Sequence, residues 1–233
     1  MTKRSVFMII GGALVAIALV VSLVFVFSGT DNNGGDITTP PAQPEFTLKG
    51  TWHLVANFTN DAPIFVENQY IIFTDSAVQM YKDATGDAYA TSSYTLNEAN
   101  QLTLSDIGRE YKLAVKTANC IRLYDGTENY MLLIRNNSDD RVREDVTAEK
   151  LAGKWNVTLK AEDKNNGEAL EFEGAALKYY KPGNTTPAAT VDFSVENNTL
   201  TASALGLIMR CYKVSDTVII FVDQNGIVWE LTK

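Results

Sequence analysis

The segment Leu48-Lys49-Gly50-Thr51-Trp52-His53-Leu54 returns further along the chain as Leu151-Ala152-Gly153-Lys154-Trp155-Asn156-Val157. A Gly-x-Trp opening used twice at the spacing of a small domain constrains the fold more than any other feature, because it predicts two copies of one unit. The correspondence continues at a constant offset. Ile71-Ile72-Phe73 answers to Leu170-Glu171-Phe172, Met80-Tyr81-Lys82 to Tyr179-Tyr180-Lys181, and Tyr94-Thr95-Leu96 to Phe193-Ser194-Val195. After a one-residue slip, Leu102 falls on Leu200, Ile121 on Ile219, Leu123 on Phe221, Asp125 on Asp223, Leu133 on Leu231 and Arg135 on Lys233. The stretch between the Trp and Phe73 or Phe172 differs most in length, which marks it as the variable segment.

Each copy breaks into short alternating segments separated by turn residues, the pattern of an antiparallel meander. Eight strands are predicted per copy, over residues 46–136 and 148–233, joined by a linker over 137–147. Asn225-Gly226 and Asp125-Gly126 are two-residue hairpin signals, since a type I′ turn needs positive φ at both central positions. Positions apolar in both copies should face inward. These include Ile71/Leu170, Phe73/Phe172, Val78/Leu177, Leu123/Phe221, Met131/Trp229 and Leu133/Leu231. Eight sequential strands most naturally close into an up-and-down barrel, which removes exposed edges; a two-sheet sandwich is the alternative. The predicted fold is therefore all-β, two tandem eight-stranded barrels.

Before them, Ser5 to Phe27 is an uncharged apolar run long enough to span a bilayer as a helix. Lys3 and Arg4 precede it and Asp31 and Asp36 follow, so the positive-inside bias leaves the N-terminus cytoplasmic and the barrels extracytoplasmic. A cleaved signal peptide would have a shorter apolar core and an Ala-x-Ala-like site, so residues 1–28 read as a retained single-pass anchor. Residues 29–45, with Pro40, Pro41 and Pro44, read as an extended stalk. The chain carries 20 Lys and Arg against 28 Asp and Glu, and Lys3 and Arg4 lie on the far side of the span. An ectodomain so acidic is a poor match for nucleic acid, whose binding depends on neutralising phosphates.

The Gly50-Thr51-Trp52 and Gly153-Lys154-Trp155 openings, with Arg135 and Lys233 closing the last strand of each copy, resemble the lipocalin-like families, particularly their short bacterial members. The resemblance implies that Trp52 with Arg135, and Trp155 with Lys233, close one end of each barrel. It departs from typical lipocalins in three respects: the units are short, no Thr-Asp-Tyr motif precedes the seventh strand, and no helix follows the barrel.

Little in the sequence points to catalysis. His53, the one histidine, is expected on the outer face opposite Trp52, exposed to solvent. No phosphate loop, metal-ligand spacing or Cys-x-x-Cys occurs, so neither cofactor nor metal is expected. Cys120 and Cys211 fall at non-equivalent positions, the first outward and half-covered, the second inward, and are expected as free thiols rather than a disulfide. Asp139, Asp140, Glu144 and Asp145, interleaved with Arg141 and Arg143, read as a solvated linker.

Two surfaces remain for function. The interior of the first barrel, with Phe73, Met80, Ala90, Ser92 and Tyr94, has smaller inward residues than the second and is the expected pocket for a small apolar ligand. On the outside, Cys120, Tyr124, Tyr130 and Leu132 of the first unit and Val218, Ile220, Val222 and Val228 of the second form apolar faces. These should pack on each other or on a partner such as an envelope protein. Ligand binding or envelope-protein interaction is the expected role, with a spacer built of filled barrels as the alternative.

Overall fold

In both copies the Gly-x-Trp opening is held by the same local geometry. Gly50 and Gly153 sit at φ of 126° and 103°, a region L-residues rarely occupy. A Cβ on Gly50 would lie 2.9 Å from a guanidinium nitrogen of Arg135. Two residues on, each indole N–H donates back to a carbonyl, Trp52 to Leu48 at 2.8 Å and Trp155 to Leu151 at 2.6 Å, and both rings are buried. Over them lie Arg135, 4.2 Å from the Trp52 ring, and Lys233, 4.5 Å from the Trp155 ring, positions favourable for cation–π attraction. Arg135 also donates to the carbonyls of Thr47, Lys49 and Ala118, tying the strand end to the entering chain.

The computed structural model describes residues 46–60, 62–137, 141–160, 163–164 and 167–233. The apolar run Ser5 to Phe27, the stalk, and Asp139 and Asp140 lie outside them. No helix among the described residues is long and apolar enough to cross a membrane.

The first unit is a closed antiparallel barrel of eight strands in sequence order: β1 (Gly50–Thr59), β2 (Ala62–Phe73), β3 (Ala77–Tyr81), β4 (Ala90–Leu96), β5 (Gln101–Leu104), β6 (Arg109–Thr117), β7 (Cys120–Tyr124) and β8 (Tyr130–Asn136), with β8 pairing back onto β1. After a short helix α1 (Ala148–Leu151), capped by the Thr147 side chain, the second unit follows. It comprises β9 (Gly153–Lys160), β10 (Asp163–Lys164), β11 (Ala169–Glu173), β12 (Ala176–Tyr180), β13 (Ala189–Asp192), β14 (Ser194–Glu196), β15 (Thr199–Ala202), β16 (Leu207–Ser215), β17 (Val218–Asp223) and β18 (Val228–Thr232). Its path runs β13-β12-β11-β9-β18-β17-β16-β15-β14, with β10 on β9.

The second unit is thus a barrel-like sheet of ten strands whose path ends at β13 and β14, not the closed eight-stranded barrel expected. β13 and β14 are consecutive pieces of one strand interrupted at Phe193, whose buried ring meets Phe172 edge-on at 5.1 Å. Its N–H donates to the carbonyl of Ala175, the counterpart of a bond made in the first unit. In the first unit the strand stays whole through the same point, where Tyr94 N–H donates to Ser76 and β4 changes partner from β3 to β5. The duplication reaches finer details. Register breaks recur at Val55 and Thr158, and at Lys116 and Val214. A 3-10 turn ending in a left-handed glycine, Gly108 or Gly206, precedes β6 and β16 alike.

Three apolar cores result. One fills the first barrel around Trp52, Phe73, Leu102, Leu113, Ile121 and Leu133, and a second fills the other unit around Trp155, Phe172, Leu200, Cys211, Phe221 and Leu231. The third lies between them and joins Val55, Ala56, Phe58, Cys120, Leu132 and Ile134 to Leu159, Tyr212, Val214, Ile220, Val222 and Val228. Tyr130 and Val218 pack at its margin, while Tyr124 stays half-buried against Tyr130, ring centroids 5.0 Å apart.

This central core corrects three expectations. His53 is buried, not exposed, because the outer face of β1 abuts the second unit, and its ring lies 4.7 Å from Tyr70 and 6.4 Å from Tyr212. Cys120 is fully buried rather than half-covered; both cysteines are free, in different cores. The linker is a strap fastened at several points, not a solvated tether. Arg141 lies over the Tyr81 ring at 3.8 Å and donates to Gly86, Arg143 lies over Tyr212 at 4.2 Å and donates to the Cys211 carbonyl, Glu144 pairs with Lys150 and Lys213, and Val146 enters the second core.

Candidate ligand site at the mouth of the first barrel

β1 carries Trp52 near its start and finishes at Thr59, beside the end of β7 and the beginnings of β6 and β8. At this far end from the tryptophan the first barrel is hollow. A cavity of about 310 Å³ is lined by residues that include Asn57, Phe58, Arg109, Tyr111, Asp125 and Met131. A second, of about 440 Å³, adjoins it and shares Arg109, Tyr111 and Asp125. Leu123 and Met131 bring the apolar core up to the opening, and behind β1 and β8 Phe58 stacks on Tyr130 at 4.2 Å in the core between the units.

The polar rim is held in shape by its own turns. Asp125 accepts from the Thr127 hydroxyl at 2.5 Å and from its backbone N–H at 3.1 Å, and these bonds keep its carboxyl below the usual range. Asp106 accepts from the Ser93 N–H at 2.6 Å and hydroxyl at 2.8 Å, with the same effect on its carboxyl. Burial pushes the Tyr111 phenol up.

Among the described residues, the corresponding end of the second unit carries bulkier side chains. Asn57 pairs with Met131 across β1 and β8, and Lys160 with Trp229 across β9 and β18, so a small amide and a flexible thioether are replaced by a long cation and an indole. Lys160 Nζ lies 4.5 Å from the Trp229 ring and 3.0 Å from Glu168, which also accepts from the Tyr179 hydroxyl at 2.7 Å. Burial, reinforced by Glu168, pushes the Tyr179 phenol up to about 12. Leu207 and Met209 stand where the first barrel has Arg109 and Tyr111, and Ile227 where it has Asn129.

The interior positions singled out in the sequence lie elsewhere. Phe73 is buried edge-on to Tyr94 at 5.4 Å, and the Tyr94 hydroxyl donates to Thr74. Ser92 is buried; its hydroxyl donates to the Ser93 carbonyl and accepts from Asp106 N–H, so the room left by a small side chain is used to tie the β5–β6 turn to β4. Met80 and Ala90 are half-buried, and none of these five lines either mouth cavity. Sequence reasoning passed over Asn57, Arg109, Tyr111, Asn129 and Met131 as sites. The usable signal was the reverse of the one applied: not where the copies agree, but where they exchange polar for apolar or small for large.

No protein-family model matches the chain, nor does any curated protein. Among solved structures it is similar to a protein of unknown function of the DUF3598 family from Nostoc punctiforme PCC 73102, at 9% identity and a TM-score of 0.29, over 80% of this chain and 96% of that one. A likeness so distant carries no argument, and the functional reading rests on the residues themselves. Among those described, no group of three or more His, Cys, Asp or Glu side chains could hold a metal ion.

Proposed function

We propose that this is a membrane-anchored, extracytoplasmic binding protein built of two lipocalin-like barrels, in which the first holds a small ligand at its mouth and the second is its filled structural partner. The observation that carries the reading is the contrast between the two mouths. One holds a cavity of about 310 Å³, within the usual range for small-molecule sites, and the other is stoppered by Trp229 and the Lys160–Glu168–Tyr179 cluster. The charge-free run Ser5 to Phe27, flanked by Lys3 and Arg4 on one side and acidic residues on the other, supports the anchor and its orientation.

Native mass spectrometry of the full chain, purified in detergent from a membrane, tests this. A reproducible small-molecule adduct in the wild type that is absent from Met131→Trp, which copies the residue of the second unit, is the expected result. Adduct-free wild type across preparations would shift the weight to the spacer or envelope-interaction reading.

A further inference from the structure

Resting on that reading, we infer that the mouth of the first barrel takes a compact zwitterion with an aromatic or apolar body, the chemistry of an aromatic α-amino acid, and not a long-chain lipid. Depth sets the first limit. Below the opening the barrel is packed by Leu102, Leu113, Ile121, Leu133 and Trp52, each at most 2% exposed, so an alkyl chain has no channel to enter. An occupant is confined to the two adjoining shallow cavities of the mouth, about 310 and 440 Å³, sizes suited to a small molecule.

The walls supply the second limit. Tyr111 offers aromatic surface beside an apolar floor of Leu123 and Met131, suited to a flat body. The head-group is fixed by charge. Arg109 on β6 and Asp125 at the end of β7 line the same cavity with opposite sign. No ion pair engages Arg109 among the described residues. Its planar donors match a carboxylate, and Asp125, oriented by two hydrogen bonds from Thr127, faces the opening as an acceptor for an ammonium. Asn57 and Asn129 also line the cavity. A simple anion would meet a chain of net charge −8, whereas a zwitterion adds no net charge. The second unit keeps the acid as Asp223 but has Leu207 for the arginine, so the charge pair belongs to the hollow mouth alone.

Calorimetric titration of the full chain with L-tryptophan, tryptamine, indole-3-propionate and palmitate separates the possibilities. Saturable binding of L-tryptophan at least tenfold tighter than either half-charged indole is expected. Arg109→Leu and Asp125→Asn should each weaken it at least tenfold. Met131→Trp, an apolar filling of the floor, should abolish it. Equal binding of tryptamine or indole-3-propionate, tight binding of palmitate, or L-tryptophan affinity unchanged in both charge variants would overturn the zwitterion assignment. If L-tryptophan fails to bind while purified wild type still carries an adduct that Met131→Trp loses, the ligand class is wrong and the binding function stands; if neither is seen, both fall.

Discussion

His53 shows how one residue takes its chemistry from the duplication. Its counterpart Asn156 is exposed, while His53 is buried against Tyr70 and Tyr212 with the Arg143 guanidinium nearby. Burial first, and Arg143 second, lower its pKa from 6.5 to about 4. The folded protein therefore holds His53 neutral where the unfolded chain already binds a proton. Protonation favours the unfolded state, so stability is unaffected above about pH 6.5, falls as the pH drops towards 4, and levels off below that. Between pH 7 and 5 the loss should be about 2 kcal/mol in urea unfolding, as the linkage relation requires for a shift of this size. His53→Gln should flatten the dependence in that window. The depressed carboxyls of Asp106, Asp125, Glu144 and Glu171 contribute in the same direction, since their stabilisation is lost as pH falls, but at more acidic pH. A variant with the wild-type slope between pH 7 and 5 would show that His53 is protonated in the folded protein.

Among the elements, the β17–β18 turn couples the two units most directly. A hairpin was legible at Asn225-Gly226 but its turn was not: the loop runs over residues 224–227 with positive φ at Gly226 and not at Asn225, and the two-residue turn with positive φ at both positions is Asn197-Asn198, at 49° and 58°. What the turn touches was not legible. A Cβ on Gly226 would fall 2.1 Å from Phe58, a residue of the other barrel that lines the candidate site. Gly226→Ala should cost about 2–4 kcal/mol in denaturant unfolding, combining left-handed strain with overpacking. Gly183→Ala, also at positive φ but with open space around it, isolates the strain and should cost about 1–2 kcal/mol. Equal costs would mean that Phe58 yields freely. The same division between local and distant causes holds elsewhere. Strand order and the inward faces of Ile71, Leu123 and Leu133 could be read because alternation is written into each strand. The burial of His53 and Cys120 could not, because it depends on a second surface far away in sequence. The break at Phe193 was hidden too, since Tyr94 and Phe193 are interchangeable by pattern, although the Phe193 ring is buried while Tyr94 is half-buried with its hydroxyl donating to Thr74.

At the scale of the whole molecule, the cores within the barrels and the core between them are of one kind. The central cluster buries Val55, Phe58, Leu132 and Ile134 against Tyr212, Val214, Ile220 and Val228, as deeply as the residues of either barrel interior. Polar contacts cross at its edges: Thr117 donates to Glu230 at 2.5 Å, and Arg210 pairs with Glu67 and lies over Phe65 at 4.3 Å. Separating the barrels would expose this apolar surface at about 25 cal/mol per Å², so neither unit should unfold without removing support from the other. Residues 46–233 should therefore melt in one calorimetric transition whose van't Hoff and calorimetric enthalpies agree. Ile220→Asp, which places a carboxylate at a fully buried position of the central core, should cost about 3–5 kcal/mol and split the melt into two. Val115→Asp, at a position 38% exposed, should leave the transition single. Two transitions in the wild type would mean that the barrels are joined only by their strap. A single transition makes the filled second barrel a buttress for the hollow first one, with Phe58 and Tyr130 as the wall through which its stability reaches the open mouth.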